Sequence, residues 1–239
     1  MAHTSFVVRF VMAAPVILTD GASLDAVIAF QGFASGGDGV DLLDQLLEKE
    51  GRIHRASWMY CEQEHLAARA GFVRMQRLGA ALNENTLLPT GGTGRDFRVD
   101  NKRGVAANKL TSYRTIATPS VWAFATGDAA GVAEMLSDVT SIGIKRPYGF
   151  GRVQRIEIGR VDGWAGFGHL MPDGRPARAI PLDQWQGDGK RGAYALGFPR
   201  WASPAETCAI PTERLIDPTI FNRLEPQKSW VVGMGGHDD

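Results

Sequence analysis

The chain has 239 residues, with 26 Lys and Arg against 26 Asp and Glu, so its formal net charge is zero. Hydrophobic residues make up 44 % and charged residues 22 %, enough apolar material for a real core, which excludes a disordered or collagen-like chain. Neutrality also excludes a protein that coats nucleic acid with its whole surface, but it does not exclude local patches.

Ser5–Met12 is β-branched and aromatic and predicts a buried strand, ended by Pro15. Ser23 is placed to cap a helix over Leu24–Phe30. Gly36-Gly-Asp-Gly39 breaks the chain. Leu42, Leu43, Leu46 and Leu47 then predict a second helical stretch over Asp41–Glu50. That stretch is acidic, because Asp38, Asp41, Asp44, Glu48 and Glu50 face only Lys49. Ile53–Tyr60 and Ala68–Leu78 each fit a strand. Residues 83–118 show no clear periodicity, and a loop this long inside a compact domain is often functional. Ser120–Thr126 reads as a strand. Ala129–Ser137 reads as a helix with Val132, Met135, Leu136 and Val139 on one face. Val153–Ile158 alternates as a further strand, and the turn signals beyond Gly159 favour short strands over helices.

The order strand, helix, strand, strand, helix, strand with a long insertion predicts an α+β, ferredoxin-like βαββαβ domain whose two helices cover one face of an antiparallel sheet. The predicted core is Phe6, Val8, Phe10, Val27, Ile28, Val121, Ala123, Met135, Leu136, Val153 and Ile156. The expected organisation is a ferredoxin-like domain over 1–160 with an insertion at 83–117, followed by a β-rich extension over 161–239. Two distant cysteines, Cys61 and Cys208, are too few for a disulfide framework, so a reducing compartment is the default. No signal peptide and no run of about 18 apolar residues is visible, so a soluble, cytoplasmic chain without a membrane span is expected.

Two segments carry chemistry. Gly143–Arg152 combines Gly143, Gly149 and Gly151 with Lys145, Arg146, Tyr148, Phe150 and Arg152. Glycine backbone can approach a ligand closely, and amides beside cations can cradle a phosphate while rings stack on a base. The same composition suits a tight helix-to-strand connection with solvated cations. The second segment is the insertion, where Arg95, Arg98, Lys102, Arg103, Lys109 and Arg114 are opposed only by Asp96 and Asp100 and interleaved with Phe97 and Tyr113. Such a segment suits a nucleic-acid strand, and equally an ordinary solvated loop.

Enzyme-type constellations are poor. Gly91-Gly-Thr-Gly-Arg95 lacks the Gly-Lys-Ser/Thr ending of a P-loop. Cys61 and His65 are half of a metal site with no second pair, so no metal and no cofactor is expected. His54 or His169, with Tyr148 and Lys145, are the residue types a metal-independent ribonuclease would need. The six tryptophans, Trp58, Trp122, Trp164, Trp185, Trp201 and Trp230, suit a core or a subunit interface.

Phe6-Val-Val-Arg-Phe-Val-Met-Ala-Ala-Pro15 followed by Ser23-Leu-Asp-Ala-Val-Ile-Ala29 resembles the start of the type IV CRISPR-Cas RAMP proteins. Gly143-Ile-Lys-Arg-Pro-Tyr-Gly-Phe-Gly-Arg-Val153 resembles the glycine-rich loop of that superfamily, which lies between the second helix and the last strand of the ferredoxin-like fold. The resemblance covers residues 5–30 and 118–160. It implies the subunit that caps the 5′ handle of the guide RNA, beside a backbone RAMP subunit and a large subunit. It assigns Lys145, Arg146, Tyr148, Gly149, Phe150, Gly151 and Arg152 to the guide-RNA loop. By position, it assigns Arg95, Arg98, Lys102, Arg103, Lys109 and Arg114 to a thumb that folds over the guide. Some relatives also touch DNA flanking the target. The type IV systems usually leave precursor processing to a separate protein, which implies a non-catalytic subunit, with the ribonuclease as the alternative. The neutral overall charge departs from what the resemblance implies.

Overall fold

The computed structural model describes residues 4–74, 87–89, 97–99, 109–200, 202–221 and 230–233; at 74, 87–89, 97–99, 109 and 230–233 the description is of the backbone alone. The chain runs β1 (Thr4–Met12), α1 (Leu24–Ala34), α2 (Gly39–Leu46), β2 (Lys49–Glu50), β3 (Ile53–His54), β4 (Tyr60–Cys61) and β5 (Leu66–Arg74). It continues through β6 (Leu87–Pro89), β7 (Phe97–Val99), β8 (Lys109–Ala117), β9 (Ser120–Gly127), α3 (Ala129–Leu136) and β10 (Val153–Arg160). The last strands are β11 (Ile180–Pro181), β12 (Lys190–Ala195), β13 (Ala205–Ile210) and β14 (Trp230–Gly233). The chain divides into two compact units, residues 1–67 with 116–239 and residues 68–115.

The central sheet has the order β14-β10-β1-β9-β4, and the described pairings within it are antiparallel. Four of its strands, β10, β1, β9 and β4, reproduce the ferredoxin-like arrangement, in which the first strand lies between the third and the last. β14 adds a strand beyond β10, with Ile156 opposite Val232. β1 sits in the middle. Phe6, Val8 and Phe10 point to one face, where Val8 is opposite Ala123 and Ile158, and Phe10 is opposite Val121 and Ile156. These residues pack in one buried cluster with Leu24 and Ile28 of α1, Leu43 of α2, and Val132 and Leu136 of α3. Nine of the eleven predicted core residues are fully buried; Val27 and Met135 are half-buried at the edge of that cluster.

The other face of the sheet is buried as well, which explains why β1 and β9 are apolar almost throughout. Val7, Trp122 and Phe124 on that face meet Phe167, Ala177, Cys208, Ile216 and Phe221 from the last third of the chain. Phe124 packs against Trp164, Phe167 and Phe221 with ring centroids 5.4, 5.0 and 5.8 Å apart. Trp58 and Trp122 are core residues, and Trp164 and Trp185 are half-buried. The side chains of Trp201 and Trp230 lie outside the described residues.

Several local expectations shift. Ser23 occupies the position before α1, but its hydroxyl donates to the buried Asp25 carboxylate instead of capping the helix. The second helix starts earlier and ends at Leu46, because Asp38 caps it by accepting from the Val40 amide at 2.7 Å and Lys49–Glu50 turn back to pair with Ile53–His54. Residues 109–117, read as part of a structureless insertion, form β8 and pair with β5. Among the described residues no helix is long and apolar enough to cross a membrane.

Candidate nucleic-acid interface

The glycine-rich segment connects α3 to β10 and is held at its base by backbone hydrogen bonds. The Ile142 amide donates to the Gly151 carbonyl at 2.9 Å and the Val153 amide to the Thr140 carbonyl at 2.9 Å. The chain leaving β1 completes the clamp: Gly151 donates to the Pro15 carbonyl at 2.8 Å, Ala13 to Arg152 at 2.9 Å and Ile144 to Ile17 at 3.1 Å. The Ala-Ala-Pro15 exit of β1 and the loop, two motifs far apart in sequence, therefore form one structural unit.

The glycines divide the work. Gly151 has φ +71°, and a Cβ there would lie 1.9 Å from the Ile142 carbonyl oxygen. A Cβ on Gly143 would lie 2.5 Å from the Ile17 carbonyl oxygen. Both are needed for the loop to pack against its own protein. Gly149, at φ +86°, is exposed and is the one of the three with open space where a Cβ would stand. Between them a single 3₁₀ turn, Arg146–Tyr148, projects from the fold. Lys145 precedes it with φ 62°, the one positive φ at a non-glycine among the described residues. A non-glycine side chain in this region costs about 1–2 kcal/mol, strain of the kind found at functional loops.

The tip is cationic and aromatic. Arg146, Tyr148 and Arg152 are exposed, Tyr148 by 68 %, while Lys145 and Phe150 are half-buried. The Arg146 guanidinium carbon stands 4.4 Å from the centroid of Phe30 on α1, and the Lys145 ammonium 5.8 Å from the Tyr148 ring. Between α1 and the loop lies a groove of about 370 Å³ whose lining includes Ala26, Phe30, Met59, Asp138, Ile142 and Arg146. Phe30 and Asp138 were not among the sequence candidates; Phe30 belongs to an apolar helical run, where nothing distinguishes an exposed ring from a core one.

The insertion candidates are spread differently. Arg95, Lys102 and Arg103 lie outside the described residues. Arg98 is in β7, and Lys109 and Arg114 are in β8; the Arg114 side chain is exposed. The pairing of β8 with β5 adds two cations that sequence reasoning missed, the exposed Arg69 and, by its place in β5, Arg74. The signal was present: neither strand contains an acidic residue. Phe72 and Tyr113 pack edge-on across this ribbon with centroids 5.7 Å apart.

The two buried histidines, His54 and His169, meet in one network. His54 Nε2 is 2.6 Å from Asp44 Oδ1, and the His54 carbonyl oxygen is 3.2 Å from His169 Nε2. Burial, reinforced by Arg178, pushes the His169 ring down to about 3, so it is neutral near pH 7. A neutral ring donates from one nitrogen only, to the His54 carbonyl or to Glu50, whose oxygen is 3.2 Å from Nδ1. Next to them Arg178, 2 % exposed, pairs with Asp25 at 2.9 Å and donates to the carbonyls of His54 and Ala56. Cys61 is buried, and no group of metal-ligating side chains occurs among the described residues.

Compared with known protein families, residues 57–164 match the model of the CRISPR type IV associated protein Csf3. The matched stretch runs from just before β4 through the insertion, β9, α3 and the glycine-rich loop to just past β10. No curated protein matches the chain.

Proposed function

We propose, from this match to a type IV CRISPR-associated family, that the chain is a non-catalytic RNA-binding subunit of a type IV CRISPR effector ribonucleoprotein. It holds the 5′ handle of the guide RNA through the Gly143–Arg152 loop and the basic insertion, and docks on the backbone and large subunits. Duplex DNA flanking the target is a further ligand of the subunit in this reading.

The observation that carries the reading is the loop itself. A base clamped by backbone hydrogen bonds projects a strained turn with exposed Arg146, Tyr148 and Arg152, and an exposed, uncrowded glycine at 149. Cations supply phosphate affinity, and the exposed ring supplies a stacking surface for an unpaired base. The ribbon of β5 and β8, with cations and no acid, supports the same reading by its charge. The non-catalytic assignment is supported by the burial of His54 and His169 in a network with Asp44 and Glu50.

Binding of repeat-derived single-stranded RNA as a function of salt tests this. Replacing Lys145, Arg146 and Arg152 with Ala removes three cations, and the slope of log K against log salt should flatten by about 2 units, near 0.7 per phosphate on a single strand. An unchanged slope rejects the loop as the RNA site. Incubation of the protein with repeat RNA in EDTA should give no cleavage; cleavage lost on His54→Ala or His169→Ala would replace this reading with the ribonuclease.

A further inference from the structure

The groove between α1 and the loop has a lining that the loop's cations do not explain. Its about 370 Å³ falls within the size of small-molecule sites, roughly 300–1,000 Å³. Ala26, Met59 and Ile142 make part of it apolar, Phe30 contributes a ring that is 48 % exposed, and Arg146 lays its guanidinium over that ring. Asp138 is the one carboxylate and Arg146 the one cation among the lining residues. Asp138 is exposed, and its carboxylate makes no hydrogen bond or ion pair with another described residue.

We propose that this groove binds a single unstacked guanine of the RNA, with Asp138 as the residue that reads it. The proposal rests on the RNA-binding reading above and adds a base identity to it.

Single-stranded RNA is recognised by splaying a base out, stacking it on an aromatic or guanidinium plane, and bonding its Watson–Crick edge. Phe30 and Arg146 provide such planes. A lone carboxylate repels a phosphate, so the part of the nucleotide that enters the groove is the base, while Lys145 and Arg152 on the loop attract the backbone outside. Among the four bases, guanine alone presents two adjacent N–H donors, N1–H and the N2 amino group, to the two carboxylate oxygens. Adenine and cytosine place an acceptor nitrogen beside their amino group, and uracil flanks its single donor with two carbonyl oxygens. An arginine side chain from a protein partner would also pair with Asp138, but Arg146 repels it.

The full-length chain is titrated against labelled nine-nucleotide RNAs, oligo-uridine carrying one central guanosine, adenosine or inosine, with binding read by fluorescence anisotropy. The guanosine RNA should bind at least about fivefold more tightly than the adenosine RNA. Inosine, which lacks the N2 amino group, should fall between. Asp138→Ala should erase the guanosine preference while leaving adenosine-RNA affinity near wild type; circular dichroism confirms that this exposed variant is folded. Phe30→Ala should weaken the guanosine RNA selectively. Equal affinity for guanosine and adenosine RNAs, with salt-sensitive binding intact, overturns the guanine pocket and leaves the RNA-binding reading standing. A guanosine preference that survives Asp138→Ala overturns Asp138 as the reader. No binding of any of the three RNAs at low salt overturns both.

Discussion

Asp25 lies at the start of α1, where its charge suits the helix N-terminus, yet it is 1 % exposed. Burial alone would raise its carboxyl, but Arg178, Arg200 and the Ser23 hydroxyl hold it below the ordinary carboxylate value. Removing one member of a buried ion pair strands the other charge. Asp25→Ala should therefore cost about 3–5 kcal/mol in urea unfolding, against no more than about 1 kcal/mol for an exposed pair such as Lys49–Asp44. His169 makes a second prediction. Its ring titrates near 3 when folded against an ordinary 6.5, so the unfolded chain binds the extra proton first as pH falls. Its contribution to stability is fully present above 6.5 and is lost on acidification between 6.5 and about 3, with a slope of up to about 1.4 kcal/mol per pH unit. His169→Gln should flatten that part of a pH–stability curve. Neither network was legible in the sequence. Arg178 is 153 positions from Asp25, and a buried charge has the same letter as a solvated one.

At the scale of elements, the glycine-rich loop was legible as a unit, but the roles of its glycines were not. The composition pointed to backbone approaching a ligand, whereas Gly143 and Gly151 let the backbone approach its own neighbours at Ile17 and Ile142. This separates two substitutions. Gly151→Ala combines a positive φ with a clash against backbone and should lower stability by more than about 2 kcal/mol. Gly149→Ala meets only the φ cost, about 1–2 kcal/mol, in open space, and its larger effect should be on RNA affinity. Thermal unfolding of the two variants side by side checks the order. Ala68–Leu78, where β5 lies, reads as a strand, but β8 and its pairing with β5 were missed for a different reason. β8 lies at the end of the stretch read as an insertion, far in sequence from β5, and Val73 and Leu110 are exposed, so no inward-facing period marks it. Arg69→Ala with Arg114→Ala should weaken RNA of any sequence alike and flatten the salt slope by about 1.4 units, the amount for two single-strand phosphates.

For the whole molecule, periodicity was enough to reach the ferredoxin-like order, because β1, β9, α1, α3 and β10 are continuous apolar or amphipathic runs. It was not enough to show what the last third of the chain does. Phe167, Phe221 and their neighbours cover the second face of the central sheet, and β14 extends its edge, contacts that turn signals do not encode. The zero net charge likewise resolves into parts: an acidic stretch at 38–50, cations along the β5–β8 ribbon and a cationic loop at 143–152. The proposed RNA binding needs only such local positive charge, not a basic chain overall. The most direct test is to co-express the chain with the other type IV effector subunits and a CRISPR array, purify the assembly, and measure its guide RNA. With Lys145, Arg146 and Arg152 changed to Ala, the account predicts that the assembly loses its guide RNA. An undiminished amount of guide RNA, still protected at its 5′ handle, would contradict it.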